Sequence, residues 1–240
     1  MRSSSILKDM KNNIDLSTEQ QSPSSSTNSL TQATAQPLIH VNNVHKSYPM
    51  GTTTVQALCG VNLQIQKGEF TALIGTSGSG KSTLLNLIGC LDDADSGQVL
   101  IDGIDISTLS EKEKSFLRNH KLGFIFQSFN LIPVLNVAEN VEMPLIIRSD
   151  LSKNQRLEMV MSALKDVGLD TFSHHLPDQL SGGQRQRVAI ARSLVTQPSL
   201  ILADEPTANL DSKTTHMIID LLLDLNAKRK VTFFFCSHDE

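Results

Sequence analysis

The sequence predicts an α/β domain built round a parallel sheet, with an antiparallel layer contributed by the segments ahead of it. Three observations carry this. Four short apolar runs, "FTALIG", "LGFIFQ", "SLILAD" and "VTFFFCSH", have the length and continuous hydrophobicity of strands buried on both faces. Helical segments separate them, the alternation that gives parallel strands joined by helices. A glycine-rich loop, "GTSGSGKST", leads from the first run into a helix-like stretch, "STLLNLIG".

Size and composition agree. The chain has 240 residues, 39 % hydrophobic and 19 % charged, which suits one domain of roughly 200 residues with a sizeable core. Residues 1–36 are rich in Ser, Thr, Gln and Asn and too poor in apolar side chains to offset ordering entropy. They read as a disordered tail ahead of a domain at 37–240. Ile6, Leu7, Met10 and Ile14 have the spacing of one weak amphipathic turn, which chance explains equally well. The tail lacks the ~7–15-residue apolar core of a secretory signal, and Asp9, Asp15 and Glu19 oppose a transit peptide. A formal charge of -4 opposes nucleic-acid binding through bulk positive charge. Cys59, Cys90 and Cys236 are far apart and odd in number, showing neither metal-ligand spacing nor a disulfide framework; a reducing compartment is expected. No apolar run approaches the roughly 18–20 residues of a membrane span. A role at a membrane therefore calls for another polypeptide to do the spanning.

Along the chain, "LIHVNNV" and "VQALCGVNLQIQ" alternate as strands of the antiparallel layer. In "NQRLEMVMSALKDVGL", Leu157, Val160, Met161, Leu164 and Val167 repeat at three and four, with Gly168 as the C-cap. "TTHMIIDLLLDLNAK" is apolar on most faces and predicts a well-buried helix. There is no internal repeat.

Gly75, Gly80, Lys81 and Ser82 satisfy G-x-x-x-x-G-K-[ST] between a strand and a helix, the context that this phosphate-binding motif requires. Its glycines let backbone N–H groups close round a β-phosphate, and the helix N-terminus adds a positive dipole end. Lys81 is placed to bridge β- and γ-phosphates and the Ser82 hydroxyl to coordinate Mg²⁺. In "LILADEPTANLD", Asp204 ends an apolar strand and Glu205 follows, so both carboxylates reach the sheet's C-terminal edge, where α/β folds hold ligands. Asp204 is expected to position Mg²⁺ and Glu205 to polarise an attacking water. His238, after "VTFFFCS", stands at another strand end, where it could contact the γ-phosphate. A second Ser-Gly-Gly run, "LSGGQRQRV", opens another helix about a hundred residues after the first loop. One nucleotide does not need two such cradles from one chain.

Taken in order, the phosphate loop, "LSGGQ", "LADEPTANLD" and "SHD" resemble the nucleotide-binding subunit of ATP-binding-cassette (ABC) transporters, over about Leu38 to Glu240. The resemblance implies a P-loop NTPase fold, a RecA-like core with an antiparallel β edge layer and a helical subdomain over about 128–195. It implies ATP and Mg²⁺ as cofactors, with Gly75, Thr76, Ser77, Gly78, Ser79, Gly80, Lys81, Ser82 and Thr83 around the phosphates. It places Tyr48, the one tyrosine, against adenine, and Gln127 at the metal, the water and the membrane-subunit contact. Ser181, Gly182, Gly183 and Gln184 are implied to hold the γ-phosphate bound to a second copy of the chain, and Asp211 to cross towards that copy. Two subunits then meet head to tail as a homodimer with two ATP molecules between them, on the cytoplasmic face of the inner (plasma) membrane, driving integral-membrane permease subunits.

"GFIFQSFNLIPVLNVAENVEMPL" and "EPTANLD" are similar to the lipoprotein-release and macrolide-export branch. Ala208 stands where glycine is usual in that branch, and Ser237 where threonine is usual. Members continue past the histidine with further strand and helix, so this chain is expected to lack the family's C-terminal end, which leaves a binding module without turnover as one alternative. Another is a soluble ABC ATPase of DNA repair or chromosome structure. Such proteins insert a long coiled coil between the equivalents of Gln127 and Leu180, and only a short helical interval separates those residues here.

Overall fold

Four strands between residues 39 and 105 form an antiparallel layer. β1 (Ile39–Met50) and β2 (Thr53–Ile65) form a long hairpin turned at Gly51, whose φ of 62° suits glycine. β4 (Ser96–Ile101) pairs with the other side of β1 and β5 (Ile104–Asp105) with β4, giving the order β2-β1-β4-β5. The computed structural model that shows this describes residues 36–237. The expected tail up to residue 35, the turn of Ile6, Leu7, Met10 and Ile14, and His238 lie outside the described residues.

The second sheet is parallel throughout. It comprises β3 (Phe70–Ile74), β6 (Leu122–Ile125), β7 (Leu200–Asp204) and β8 (Thr232–Ser237), in the order β3-β8-β7-β6. β7 and β8 are central and almost wholly buried, as their continuous apolar runs predict. β3 departs from that expectation. It is an edge strand in which only Leu73 is buried, whereas β6 at the other edge is mostly buried because α2 (Glu111–Lys121) and α5 (Gly182–Leu194) pack on it and no helix packs as extensively on β3.

The core lies between the two sheets. α1 (Lys81–Ile88) runs through it, packing on β2 and β4 on one side and on β7 and β8 on the other. Leu84, Leu85, Leu87 and Ile88 are all buried, each contributing about 1.5–3 kcal/mol. α2 (Glu111–Lys121), capped reciprocally by Ser110 and Glu113, leads into β6.

A helical group follows. α3 (Val137–Ile146) and α4 (Lys153–Asp166) each begin with a capping box, Asn136 with Glu139 and Ser152 with Gln155. α4 is capped at Val167, one residue before the predicted Gly168, which follows with φ 66°; there Gly168 N–H donates to Lys165 O and Leu169 N–H to Leu164 O. Of its apolar repeat, Val160 and Leu164 are buried while Leu157 and Met161 face outward. α5 (Gly182–Leu194) packs on α3, α4, β6 and α6 (Ser212–Arg229). The expectation for α6 fails in part: only Ile218, Leu222 and Leu225 are buried, and Met217 is 55 % exposed. Its apolar residues ring the helix, but only one side of it finds a packing partner.

α5 and β6 approach closely at Gly123, where an added Cβ would sit 2.4 Å from the Ser193 carbonyl oxygen. Gly123→Ala is expected to destabilise the domain by about 1–3 kcal/mol, lowering Tm by roughly 2–4 °C per kcal/mol. An unchanged melting curve would show that this approach can relax at no cost.

Candidate active site

The phosphate loop is shaped by two left-handed glycines, Gly78 (φ 78°) and Gly80 (φ 89°). Gly80 also leaves no room for a side chain, since a Cβ there would lie 2.4 Å from the Ala57 carbonyl oxygen of β2. That contact holds the α1 N-terminus against the antiparallel layer. Lys81 is buried and curls back over the loop, its Nζ donating to Gly75 O at 2.7 Å, Thr76 O at 2.8 Å and Ser79 Oγ at 3.5 Å. An ammonium held by carbonyl oxygens beside a helix N-terminus is a site prepared for an anion.

Parallel register brings the other candidates to the same edge. Ile74 pairs with Ser237, Asp204 with Cys236 and Ala203 with Ile125. The residues that follow these strand ends, Gly75, Glu205 and the Phe126–Gln127 pair, therefore leave the sheet side by side. Asp204 Oδ1 accepts a 3.2 Å hydrogen bond from Ser82 Oγ, which joins two of the three predicted metal residues, Gln127 being the third. Two hard oxygen donors at the mouth of a phosphate loop suit Mg²⁺. Glu205 turns out of the strand with φ 47°, an uncommon conformation for a side-chain-bearing residue, its N–H donating to Cys236 O at 3.1 Å. The Cys236 thiol is pushed up to about 12 by burial and then by the Asp204 charge, so it is no nucleophile. The Gln127 side chain is exposed, while its carbonyl accepts from Asn209 Nδ2 at 2.9 Å.

Tyr48 lies on β1 opposite Val55, and its hydroxyl donates to Asp92 Oδ2 at 2.7 Å. Lys46 binds the same carboxylate at 2.8 Å and stands 5.1 Å from the Tyr48 ring centroid. Burial, then the bond to Asp92, raises the phenol pKa, whereas Thr83 hydrogen-bonds the same group and lowers it. Desolvation works against the Asp92 charge, but bonds from Lys46 and Tyr48 outweigh it and hold that carboxyl below its usual range.

The second Ser-Gly-Gly run is a helix start, as predicted. Ser181 Oγ accepts from Gln184 N–H at 3.3 Å, and Gln184 Oε1 accepts from Ser181 N–H at 2.8 Å. Gly183 is needed for contact: its Cβ would meet Thr214 Cγ2 at 2.6 Å. Thr214 in turn donates to Asp211 Oδ2 at 2.6 Å, and Asp211 caps α6 through the Lys213 and Thr214 N–H groups. Those bonds, the Thr214 hydroxyl first, draw the Asp211 carboxyl below its usual range. Ser181, Gly183 and Gln184 line a cavity of about 470 Å³ with Thr214 and Met217 of α6, and no residue of the phosphate loop borders it. α1 and α5 pack on different neighbours.

Against known proteins, a sequence profile described as ABC transporter matches residues 58–208. The chain belongs to the ABC transporter family. MJ0796 of Methanocaldococcus jannaschii, an uncharacterized ABC transporter ATP-binding protein, is 49 % identical over 205 residues, 84 % of this chain and 87 % of that protein. Its dimeric structure in a post-hydrolysis state bound to ADP and Pi superposes with a TM-score of 0.76 at 48 % identity, covering 84 % of this chain and 88 % of the other. The lipoprotein-releasing system ATP-binding protein LolD of Bordetella pertussis is 44 % identical over 203 residues, 85 % of this chain and 87 % of that one. The macrolide export ATP-binding/permease protein MacB of Syntrophobacter fumaroxidans is 44 % identical over 203 residues, 84 % of this chain but 28 % of that longer protein. The chain is thus an ABC ATPase of the LolD and MacB type, the ATP-binding and ATP-hydrolysing subunit of a membrane transporter.

Sequence reasoning missed four polar residues that hold this ABC ATPase site in shape: Lys46 and Asp92 at Tyr48, Asn209 at Gln127, and Gln186. Gln186 is fully buried on α5, its Nε2 donating to Pro206 O at 2.5 Å just after Glu205. None forms a motif by itself, and each partner is remote in sequence. For Lys81, Lys81→Met removes the ammonium and its charge-assisted bonds. ATP affinity is expected to fall roughly 10- to 150-fold with the fold retained. Titration with a fluorescent ATP analogue, beside a circular dichroism spectrum, checks this, and an unchanged affinity would remove Lys81 from the phosphate site.

Proposed function

We propose that two copies of the chain close head to tail over two ATP molecules and thereby drive a separate integral-membrane permease. The observation behind this is the existence of two helix starts suited to anions, α1 and α5, of which the second opens on a cavity that no residue of the phosphate loop borders. The α5 start, bordered by α6 rather than by the phosphate loop, suits a phosphate brought by another subunit. The dimeric MJ0796 structure supports the same reading.

In this arrangement Thr76, Ser77, Gly78, Ser79, Gly80 and Thr83 wrap the phosphates of the chain's own ATP, with Lys81 on the β- and γ-phosphates. Tyr48, steadied by Asp92, stacks on adenine. Ser82, Asp204 and Gln127 are the residues that would hold Mg²⁺. Bound there, the ion neutralises phosphate charge. Glu205 orients the attacking water and draws on its proton, and His238 contacts the γ-phosphate. Ser181, Gly182, Gly183 and Gln184 close over the γ-phosphate of the partner subunit's ATP, and Asp211 approaches that subunit. The energetics suffice. Moving an equilibrium from mostly open to mostly closed takes about 5.5 kcal/mol, and charge-assisted hydrogen bonds contribute about 1.5–3 kcal/mol each. Losing the γ-phosphate removes those contacts, so the dimer reopens.

Among the described residues no helix is long and apolar enough to cross a membrane. A permease of the kind that the LolD and MacB names suggest supplies the spans, and the chain works from the cytoplasmic face of the inner (plasma) membrane. Its docking place is the groove of about 390 Å³ where Phe126 and Asn130 of the Gln127 loop meet α2, α3 and α5. Phe116 and Ile147, 63 % and 71 % exposed, give that region apolar surface for a partner. The domain is read as 37–240 with a helical subdomain over about 128–195, after a tail at 1–36.

Glu205→Gln is expected to cut steady-state ATP turnover by at least ~100-fold while ATP-bound dimers accumulate in light scattering. Turnover equal to the parent's would remove Glu205 from the chemistry, and negligible turnover in both would leave a nucleotide-binding module. Ser181→Arg is expected to preserve ATP binding by the monomer and to abolish ATP-dependent dimerisation. Should monomer affinity collapse instead, the α5 start serves its own chain's nucleotide and the head-to-tail arrangement is wrong.

A further inference from the structure

Near the C-terminal end of α5, the Arg192 guanidinium reaches into the loop that follows Gln127. One nitrogen donates to the Asn130 carbonyl at 2.5 Å and the other to the Phe129 carbonyl at 2.7 Å. Phe129 and Asn130 are both left-handed, with φ of 60° and 49°. Two consecutive side-chain-bearing residues in that region are costly and persist only where their surroundings impose it. Burial alone accounts for the lowering of the Arg192 pKa, and among the described residues no carboxylate is paired with this cation. The residue is half-buried, so its guanidinium loses part of its hydration without a counter-ion to replace it. Its two short bonds to backbone carbonyls are its compensation, and the fork suits two acceptors at once.

Other contacts converge on the same loop. Arg185, seven residues before Arg192 and two turns away on the same side of α5, stands 5.5 Å from the Phe129 ring centroid. From the opposite flank, Asn209 holds the Gln127 carbonyl at 2.9 Å. The loop is therefore gripped at the Gln127 carbonyl and again two and three residues later, which leaves little freedom to the backbone that carries the Gln127 side chain.

We propose that Arg192 is a positioning residue of the ATPase: its fork fixes the left-handed turn at Phe129 and Asn130 and so sets the reach of Gln127 into the nucleotide site. The same helix begins with Ser181 and Gly183, so the fork ties Gln127 to the element that meets the partner subunit's nucleotide. This rests on the assignment of Gln127 to the metal and attacking water proposed above.

The test compares the full chain with Gln127→Ala, Arg192→Met and the double variant, measuring turnover across ATP and Mg²⁺ concentrations, ATP binding without Mg²⁺, and Tm. Arg192→Met is expected to lower kcat about tenfold, to raise the Mg²⁺ concentration needed for half-maximal turnover, and to leave Mg²⁺-free ATP affinity unchanged. The double variant is expected to be no slower than Gln127→Ala, because Arg192 acts through that side chain. Arg192→Lys, which keeps the charge but not the fork, should recover part of the loss, and it provides the comparison if Arg192→Met does not fold. Losses that multiply in the double variant, or parental kcat and Mg²⁺ dependence in both Arg192 variants, would overturn the proposal. Parental turnover by Gln127→Ala would instead overturn the Gln127 assignment, a failure visible before any Arg192 variant is made.

Discussion

The position of α1 between two unlike sheets is the constraint on which the rest of the structure depends. A phosphate site built from backbone N–H groups has no specificity unless its loop is rigid, because peptide groups are everywhere. Here the helix that ends the loop is buried on opposite sides, by β2 and β4 of the antiparallel layer and by β7 and β8 of the parallel sheet. Gly80 presses against the backbone of β2, and Ser82 bonds to Asp204 at the end of β7. The loop is thus fixed from both layers, and its dipole points at a place that neither layer could create alone.

α5 organises the remainder. Its first turn carries Ser181 and Gly183, its middle sends Gln186 to the carbonyl after Glu205, and its last turns place Arg192 on the loop after Gln127. A helix is stiff along its axis, so these three attachments keep a common geometry. The tie at Gln186 is polar and fully buried, and its remaining Oε1 has no partner among the described residues. Such a bond is costly to lose, because removing either side leaves a desolvated group behind. That cost makes the link between the second glycine run and the Glu205 loop stiff.

How much of the site was legible follows from how local each signal is. The phosphate loop, the Asp204–Glu205 pair and the Ser181 capping box are each contiguous, so each could be recognised from neighbouring residues alone. That Ser82 meets Asp204, 122 residues away, is decided by the fold. Tyr48 is a mixed case: its identity was visible, but its tether to Asp92 joins residues 44 apart. Asn209 and Gln186 lie within "LADEPTANLD" and "LSGGQRQRV", but like Arg192 they gave no sign of their partners, since an amide or guanidinium aimed at a remote carbonyl looks like any surface residue until the fold brings the carbonyl to it. Burial was misjudged where hydrophobicity outran packing: β3 lacks the helices that cover β6 at the other edge, and α6 has apolar residues on more faces than it can cover.

By itself the sequence determined the α/β class, the strands other than β4 and β5, the starts of α1 and α5, and the chemistry of nucleotide binding, because these arise from periodicity, caps and a loop whose partners lie within one or two turns. The tertiary structure alone decided which two strands lie at the edges of the parallel sheet, how Tyr48 is held, and how α5 grips the loops of Glu205 and Gln127. Those outcomes depend on contacts between residues dozens of positions apart, and on space left by neighbours, quantities that no local pattern encodes.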